Sequence, residues 1–195
     1  MLELLLGLLL FLGVHSVRIY ADGWRSAMIE RIGPLAWKGA YAAASLLGFW
    51  LLIRGWGQVR LDPVVLWSTP VALRHLASLL TLLAFVFFVA AYVPGNSIKA
   101  RLRHPMVLGT KTWALAHLLA NNTLADLLLF GTFLIWSVLL FVASRRRDRC
   151  EQVAPVPGRM GPTVLTVALG LITWAAFAFW LHAVLIGVRP LGGVA

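Results

Sequence analysis

Six polar side chains stand in or beside one apolar stretch, Arg101–Gly131, which reads RLRHPMVLGTKTWALAHLLANNTLADLLLFG. They are Arg103, His104, Lys111, His117, Asn121 and Asp126. An ionisable group in hydrocarbon costs several kcal/mol unless it is paired or faces a cavity. Keeping six polar groups within two short helices points to a site that holds something. The histidines sharpen the question. His15, His75, His104, His117 and His182 are many for so apolar a chain, and a neutral imidazole is the usual membrane ligand for haem iron. Taken singly, each reads more simply as a hydrogen-bonding residue between helices.

Composition sets the class of protein that must position them. Apolar residues make up 61% of the chain and charged residues 12%, against about 45–50% and about 25% in a soluble domain. Apolar runs also reach the about 20 residues that a bilayer crossing needs. The expected fold is all-α: a polytopic integral membrane protein, one transmembrane helical domain over residues 1–195, with about six spans. These are Leu2–Ile19, Gly39–Arg54 (beginning before Lys38), Leu73–Val93, Pro105–Ala120, Leu124–Ser144 and Thr163–Val188. The fourth is short and carries Lys111, so a tilted or re-entrant helix is the alternative there. Only Asn121-Asn122-Thr123 separates spans four and five, which predicts a tight hairpin. Gly33-Pro34, Asp62-Pro63, Pro94-Gly95-Asn96 and Pro155–Pro162 mark the other breaks.

Basic residues orient the bundle. Arg18, Arg25, Arg31 and Lys38 follow span one; Lys99, Arg101 and Arg103 follow span three. Arg145, Arg146, Arg147, Arg149 and Arg159 follow span five, making twelve on one side against Arg54, Arg60 and Arg189 clearly on the other. The positive-inside rule puts the twelve in the cytoplasm. Both termini then face away from it, on the periplasmic side if the membrane is a bacterial inner membrane. The net charge of +10 is accounted for by topology and anionic lipid headgroups, so nucleic acid is not an expected partner. Only Glu3 precedes the first apolar run, without the basic leader of a secretory signal. Cys150 stands alone, which excludes an intramolecular disulfide and a thiolate metal site. Trp24, Trp37, Trp56 and Trp67 fall near the interfaces, whereas Trp113, Trp136 and Trp174 lie deeper and suit either helix packing or a pocket for a planar or isoprenoid ligand.

Depth pairs the histidines in two ways. At about 1.5 Å per residue, His15 lies roughly 20 Å from the outer end of span one, and His117 roughly 18 Å from the inner end of span four. Across a core of about 30 Å their depths differ by about 8 Å. His75 and His182 match better still, near the outer face. Surroundings favour the first pair: Arg18 lies one turn from His15, and Lys111 and Arg103 lie on the cytoplasmic side of His117, where haem propionates would sit. Asn121, at i+4 from His117, and Asp126 are candidates to take its imidazole N–H. Asp126 reads equally well as a helix-start carboxylate.

Longer segments carry a resemblance. GLLLFLGVHSVRI, KGAYAAASLLGF, LWSTPVALRHLA, the block from AAYVPGNSIKARLRHP through LLLFGTFLIW, and SRRR resemble the NnrU family of bacterial membrane proteins, over roughly residues 4–150. That family is associated with denitrification, as an accessory to nitrite and nitric oxide reduction. It is similar to the plant 15-cis-zeta-carotene isomerases, membrane proteins that hold haem b and isomerise a cis double bond. Those relatives share an HS-x-R element, matched by His15-Ser16-Val17-Arg18, and RHP followed by AH, matched by Arg103-His104-Pro105 and Ala116-His117. The resemblance implies haem b as cofactor, with His15 and His117 as ligands of its iron and with Arg18, Arg103, His104 and Lys111 around it. It also implies one of two roles: accessory to the nitrite and nitric oxide reductase system, or redox-gated, isomerase-like action on an apolar polyene.

A second resemblance gives a different enzyme class. RHP with Gly109 four residues after Pro105 is similar to the RHP-x-Y-x-G element of the isoprenylcysteine-type membrane methyltransferases, which use S-adenosylmethionine. The chain departs from that element at Met106–Leu108, which lacks the Tyr, and Glu151 follows an Arg run in place of a Glu-bearing motif.

Overall fold

The computed structural model describes residues 1–154 and 156–191; Pro155, among the expected breaks, lies outside them. Ten helical elements follow one another: α1 (Leu2–Tyr20), α2 (Asp22–Ile32), α3 (Pro34–Val59), α4 (Val71–Tyr92), α5 (Ser97–Leu102), α6 (Pro105–Ala120), α7 (Leu124–Cys150), α8 (Met160–Ala176), a π turn (Phe177–Leu181) and α9 (His182–Ile186). Five runs are long and apolar enough to cross a membrane: α1, α3, α4, α7 and the continuous stretch Met160–Ile186. With 16 residues, α6 spans about 24 Å, short of a hydrocarbon core of about 30 Å.

The all-α, multi-pass reading holds, and the boundaries shift for local reasons. The basic segment after α1 is helical as α2 and not a loop; Gly33, at φ 83°, ends it. Pro34 then opens α3 in the first-turn position that has no use for a backbone N–H. That helix runs 26 residues, well beyond Gly39–Arg54 at both ends. α7 does not stop at Ser144 but continues to Cys150. Arg is a good helix former, and no Gly or Pro interrupts the run. The sixth span is broken by the π turn, which no residue type in the sequence announced.

Neighbours in the bundle form a chain of pairs: α3 packs on α1, α1 on α7, α7 on α6, α6 on α4, and α4 on α8. Small residues permit the closest of these approaches. A Cβ at Gly48 would stand 2.7 Å from the Phe11 backbone nitrogen, and one at Gly7 2.6 Å from that of Leu52. Between α4 and α8, Gly170 lies directly on Val86.

Side-chain and backbone bonds tie together the loops at each end. At one end Arg147 Nη1 donates to the Arg18 carbonyl at 2.7 Å, and the Arg159 N–H donates to Gly95 O at 2.8 Å. Asn96, fully buried there, caps α5 by accepting from the Lys99 N–H at 2.7 Å. At the other end Leu66 N–H donates to Asn122 O at 2.8 Å, and Leu124 N–H to Val64 O at 2.9 Å. The 60–70 loop is thereby laced over the predicted α6–α7 hairpin.

Candidate functional site

A cavity of about 550 Å³ lies between the first half of α4, the last turns of α6 and the π turn with α9. It sits at the end of the bundle that carries the 60–70 loop and the Asn121–Thr123 turn. His75 and Arg74 enter it from α4, His117 and Trp113 from α6, and Trp174, Phe177 and His182 from the last span; Arg189 follows α9. The π turn shapes one wall. Its backbone bond runs from the His182 N–H to the Phe177 carbonyl, and the two rings meet edge to face at 5.7 Å. One extra residue in a helical turn rotates everything after it, which lets both Phe177 and His182 face the cavity.

The histidines are prepared for one kind of chemistry. His117 Nδ1 lies 2.9 Å from the Trp113 carbonyl. A carbonyl has no proton to give, so Nδ1 carries a hydrogen, and in the neutral ring Nε2 then keeps its lone pair. The ring is held by Phe130, stacked at 4.5 Å, and by Trp113 at 5.0 Å. His182 repeats the arrangement, with Nδ1 donating to Val188 O at 2.7 Å. A neutral imidazole whose far nitrogen is fixed by a backbone carbonyl is the form that binds metal. No group of three or more His, Cys, Asp or Glu converges on a point that a bare ion would occupy, among the described residues.

The sequence-derived site residues separate into three places. His117 lines the cavity; His15 does not. His15 stands among Phe11 at 4.3 Å, Tyr41 at 5.2 Å and Trp136 at 6.2 Å, with Nδ1 donating to Phe11 O at 2.6 Å. Two α7 rings lie on the path between the histidines: Trp136 beside His15, and Phe133, which packs on Trp113 at 5.7 Å. Arg18 is occupied with Asp22, 3.7 Å away on an exposed surface.

Arg103, His104 and Lys111 occupy the third place, at the opposite end from the cavity mouth. His104 Nε2 lies 2.9 Å from Asp148 Oδ2, Arg103 Nη1 lies 3.6 Å from the same oxygen, and Arg145 Nη1 3.9 Å. Lys111 Nζ sits over the Phe141 ring at 5.3 Å. The RHP element thus spends its polar groups on anchoring the start of α6 to the end of α7. Neither Asn121 nor Asp126 takes the His117 N–H. Asn121 Nδ2 donates to the His117 backbone carbonyl at 2.9 Å. Asp126, buried, accepts from Thr123 Oγ1 at 2.6 Å and from Trp56 Nε1 at 3.2 Å.

Asp148, Arg74 and the Trp56–Asp126 bond went unread in the sequence. A lone carboxylate inside an Arg run was the available signal for Asp148. Trp174 and Trp113 do line the cavity, and Trp174 Nε1 is fixed by Thr81 Oγ1 at 3.1 Å. Trp136 packs beside His15 instead.

A sequence model described as NnrU protein matches residues 3–190. The chain belongs to the NnrU family. The NnrU match runs past residue 150, where the visible resemblance faded, and takes in α8, the π turn and α9. Apart from Leu191, then, the whole wall of the cavity falls within it. No curated protein and no solved structure matches the chain.

Proposed function

We propose that this NnrU-family protein carries haem b in the histidine-lined cavity, in a bacterial inner membrane, with both termini and the cavity mouth on the periplasmic side. The observation that supports it is the convergence of His75, His117 and His182 with Arg74, Arg189 and four aromatic rings on one cavity of about 550 Å³. Donor set and walls suit the group. His117 would hold it through Nε2, together with His75 or His182. Arg74 and Arg189 would take the propionates, and Phe85, Trp113, Trp174 and Phe177 the macrocycle.

When bound, haem b would supply one-electron redox chemistry and an iron able to take a small ligand such as nitric oxide. The chain's own contribution is to orient the imidazoles: the Trp113 and Val188 carbonyls hold their protons on Nδ1. Aromatic walls keep bulk water from the iron's surroundings, which sets its potential. This suits the family's association with nitrite and nitric oxide reduction, in which the protein serves as a haem-bearing accessory. Action on an apolar polyene is the second reading, favoured by the same aromatic lining.

An optical spectrum of detergent-purified protein from haem-replete cells tests the proposal. A b-type Soret band that shifts on reduction is expected. Haem-to-protein ratios in four alanine variants then assign the ligands. His117→Ala should abolish or alter the spectrum, and one of His75→Ala or His182→Ala should do the same. Loss in His15→Ala together with His117→Ala would move the iron to the pair that the resemblance implies. Full retention in all four, or no haem at all, overturns the reading.

A further inference from the structure

We infer that Arg60 is a positioning residue that latches the α9 wall of the cavity, and that α9 with residues 187–191 forms a flap hinged at the π turn. Arg60 Nη1 donates to the Ile186 carbonyl at 2.8 Å, across 126 positions of sequence. That carbonyl is the last of α9 and has no partner within its own helix; Gly187, at φ 78°, turns the chain away immediately after it.

The five-residue α9 packs chiefly on the preceding π turn, among the described elements. The Arg60 bond is also the one side-chain hydrogen bond that ties α9 and residues 187–191 to the rest of the molecule, among the described residues. Yet this weakly held piece supplies His182, and the segment after it supplies Val188, Arg189 and Leu191 to the cavity wall. What fixes α9 fixes that wall.

The latch is mounted rigidly. The Arg60 guanidinium lies over the Trp56 ring at 4.4 Å, and Trp56 Nε1 donates to the buried Asp126 at 3.2 Å. Asp126 in turn is bonded to Thr123 at the α6–α7 turn. Arg60 therefore reaches out from a braced platform, while its partner sits beyond a π turn, whose widened bonding makes it the natural point of bending in the last span.

Cysteine accessibility tests the latch in the full-length, detergent-solubilised protein. In a Cys150→Ser background, Ser78→Cys places a thiol on the α4 side of the cavity, and its rate of modification by a charged methanethiosulfonate is measured. Arg60→Gln should raise the rate about tenfold, the factor that one hydrogen bond from a charged donor supplies. Arg60→Lys keeps a cationic donor and should stay near the unmutated rate. Arg54→Gln, which removes a cation of α3 that pairs with Glu3 of α1, should change nothing. Hydrogen exchange in Arg60→Gln should quicken over residues 177–191 and stay unchanged in α3 and α7. Equal rates in Arg60→Gln and Arg54→Gln would overturn the inference. So would Arg60→Lys opening as far as Arg60→Gln, or protection lost equally through α3 and α7. None of these readouts uses a bound cofactor, so the latch and the haem proposal fail separately.

Discussion

Asp148 shows what a single carboxylate does among cations. Its side chain is 14% exposed and faces Arg103, His104 and Arg145 at 2.9–3.9 Å. Removing its charge leaves three donors at the start of α6 and the end of α7 without their common acceptor. Asp148→Asn should therefore cost about 1–3 kcal/mol, read as a lower thermal midpoint in detergent. Cofactor content measured below that midpoint should not change, because the cluster lies away from the cavity; a selective loss of cofactor would return the RHP element to the binding site. The sequence singled out His117, and the structure places it in the cavity wall. Which side chains share that cavity was not legible, because depth along a helix says nothing about which helix lies beside it. His15 and His117 match in depth, yet α7 stands between them; His75 and His182 come to His117 only through the pairing of α4 with α6 and the rotation introduced at the π turn.

Helix packing was legible to the extent that it depends on length and apolarity. Five of the six expected spans are helices of membrane-crossing length, with shifted ends, and the α6–α7 hairpin followed from a three-residue break. The α1–α3 pairing was invisible, because glycine signals a close approach only once the facing backbone is known. Gly48→Val should force α1 and α3 apart, since the space its side chain needs holds the Phe11 backbone. Overpacking of this kind costs about 1–3 kcal/mol, so the variant should lose thermal stability. Gly39→Ala on the same helix meets open space and should be neutral or mildly stabilising. Equal effects from the two would show that α1 does not lie on α3 as described.

On the scale of the whole molecule, ties between loops sort the chain into two ends. Arg18, Gly95, Arg103, Arg147 and Arg159 meet at one; Glu3, Arg60, Asn122 and Ile186 mark the other. The twelve basic residues counted from the sequence fall in the segments of the first end, so charge and connectivity agree on six passes of the chain between the two ends. Reporter fusions at Gln58 and Gln152, both exposed, should report periplasm and cytoplasm respectively. The same compartment for both would break the arrangement. A reporter at Leu191 should agree with Gln58.

The shortness of α6 also dictates how the protein is made. Sixteen residues with Lys111 among them form a poor passenger for the insertion machinery, where a central lysine carries a penalty of about 2.5–3.5 kcal/mol. Three residues later comes α7, long and strongly apolar. On the proposed topology the two would enter the bilayer as one unit, the second half drawing the first across. The cavity takes its walls from α4, α6 and the last span, so it forms only after the last span has been added.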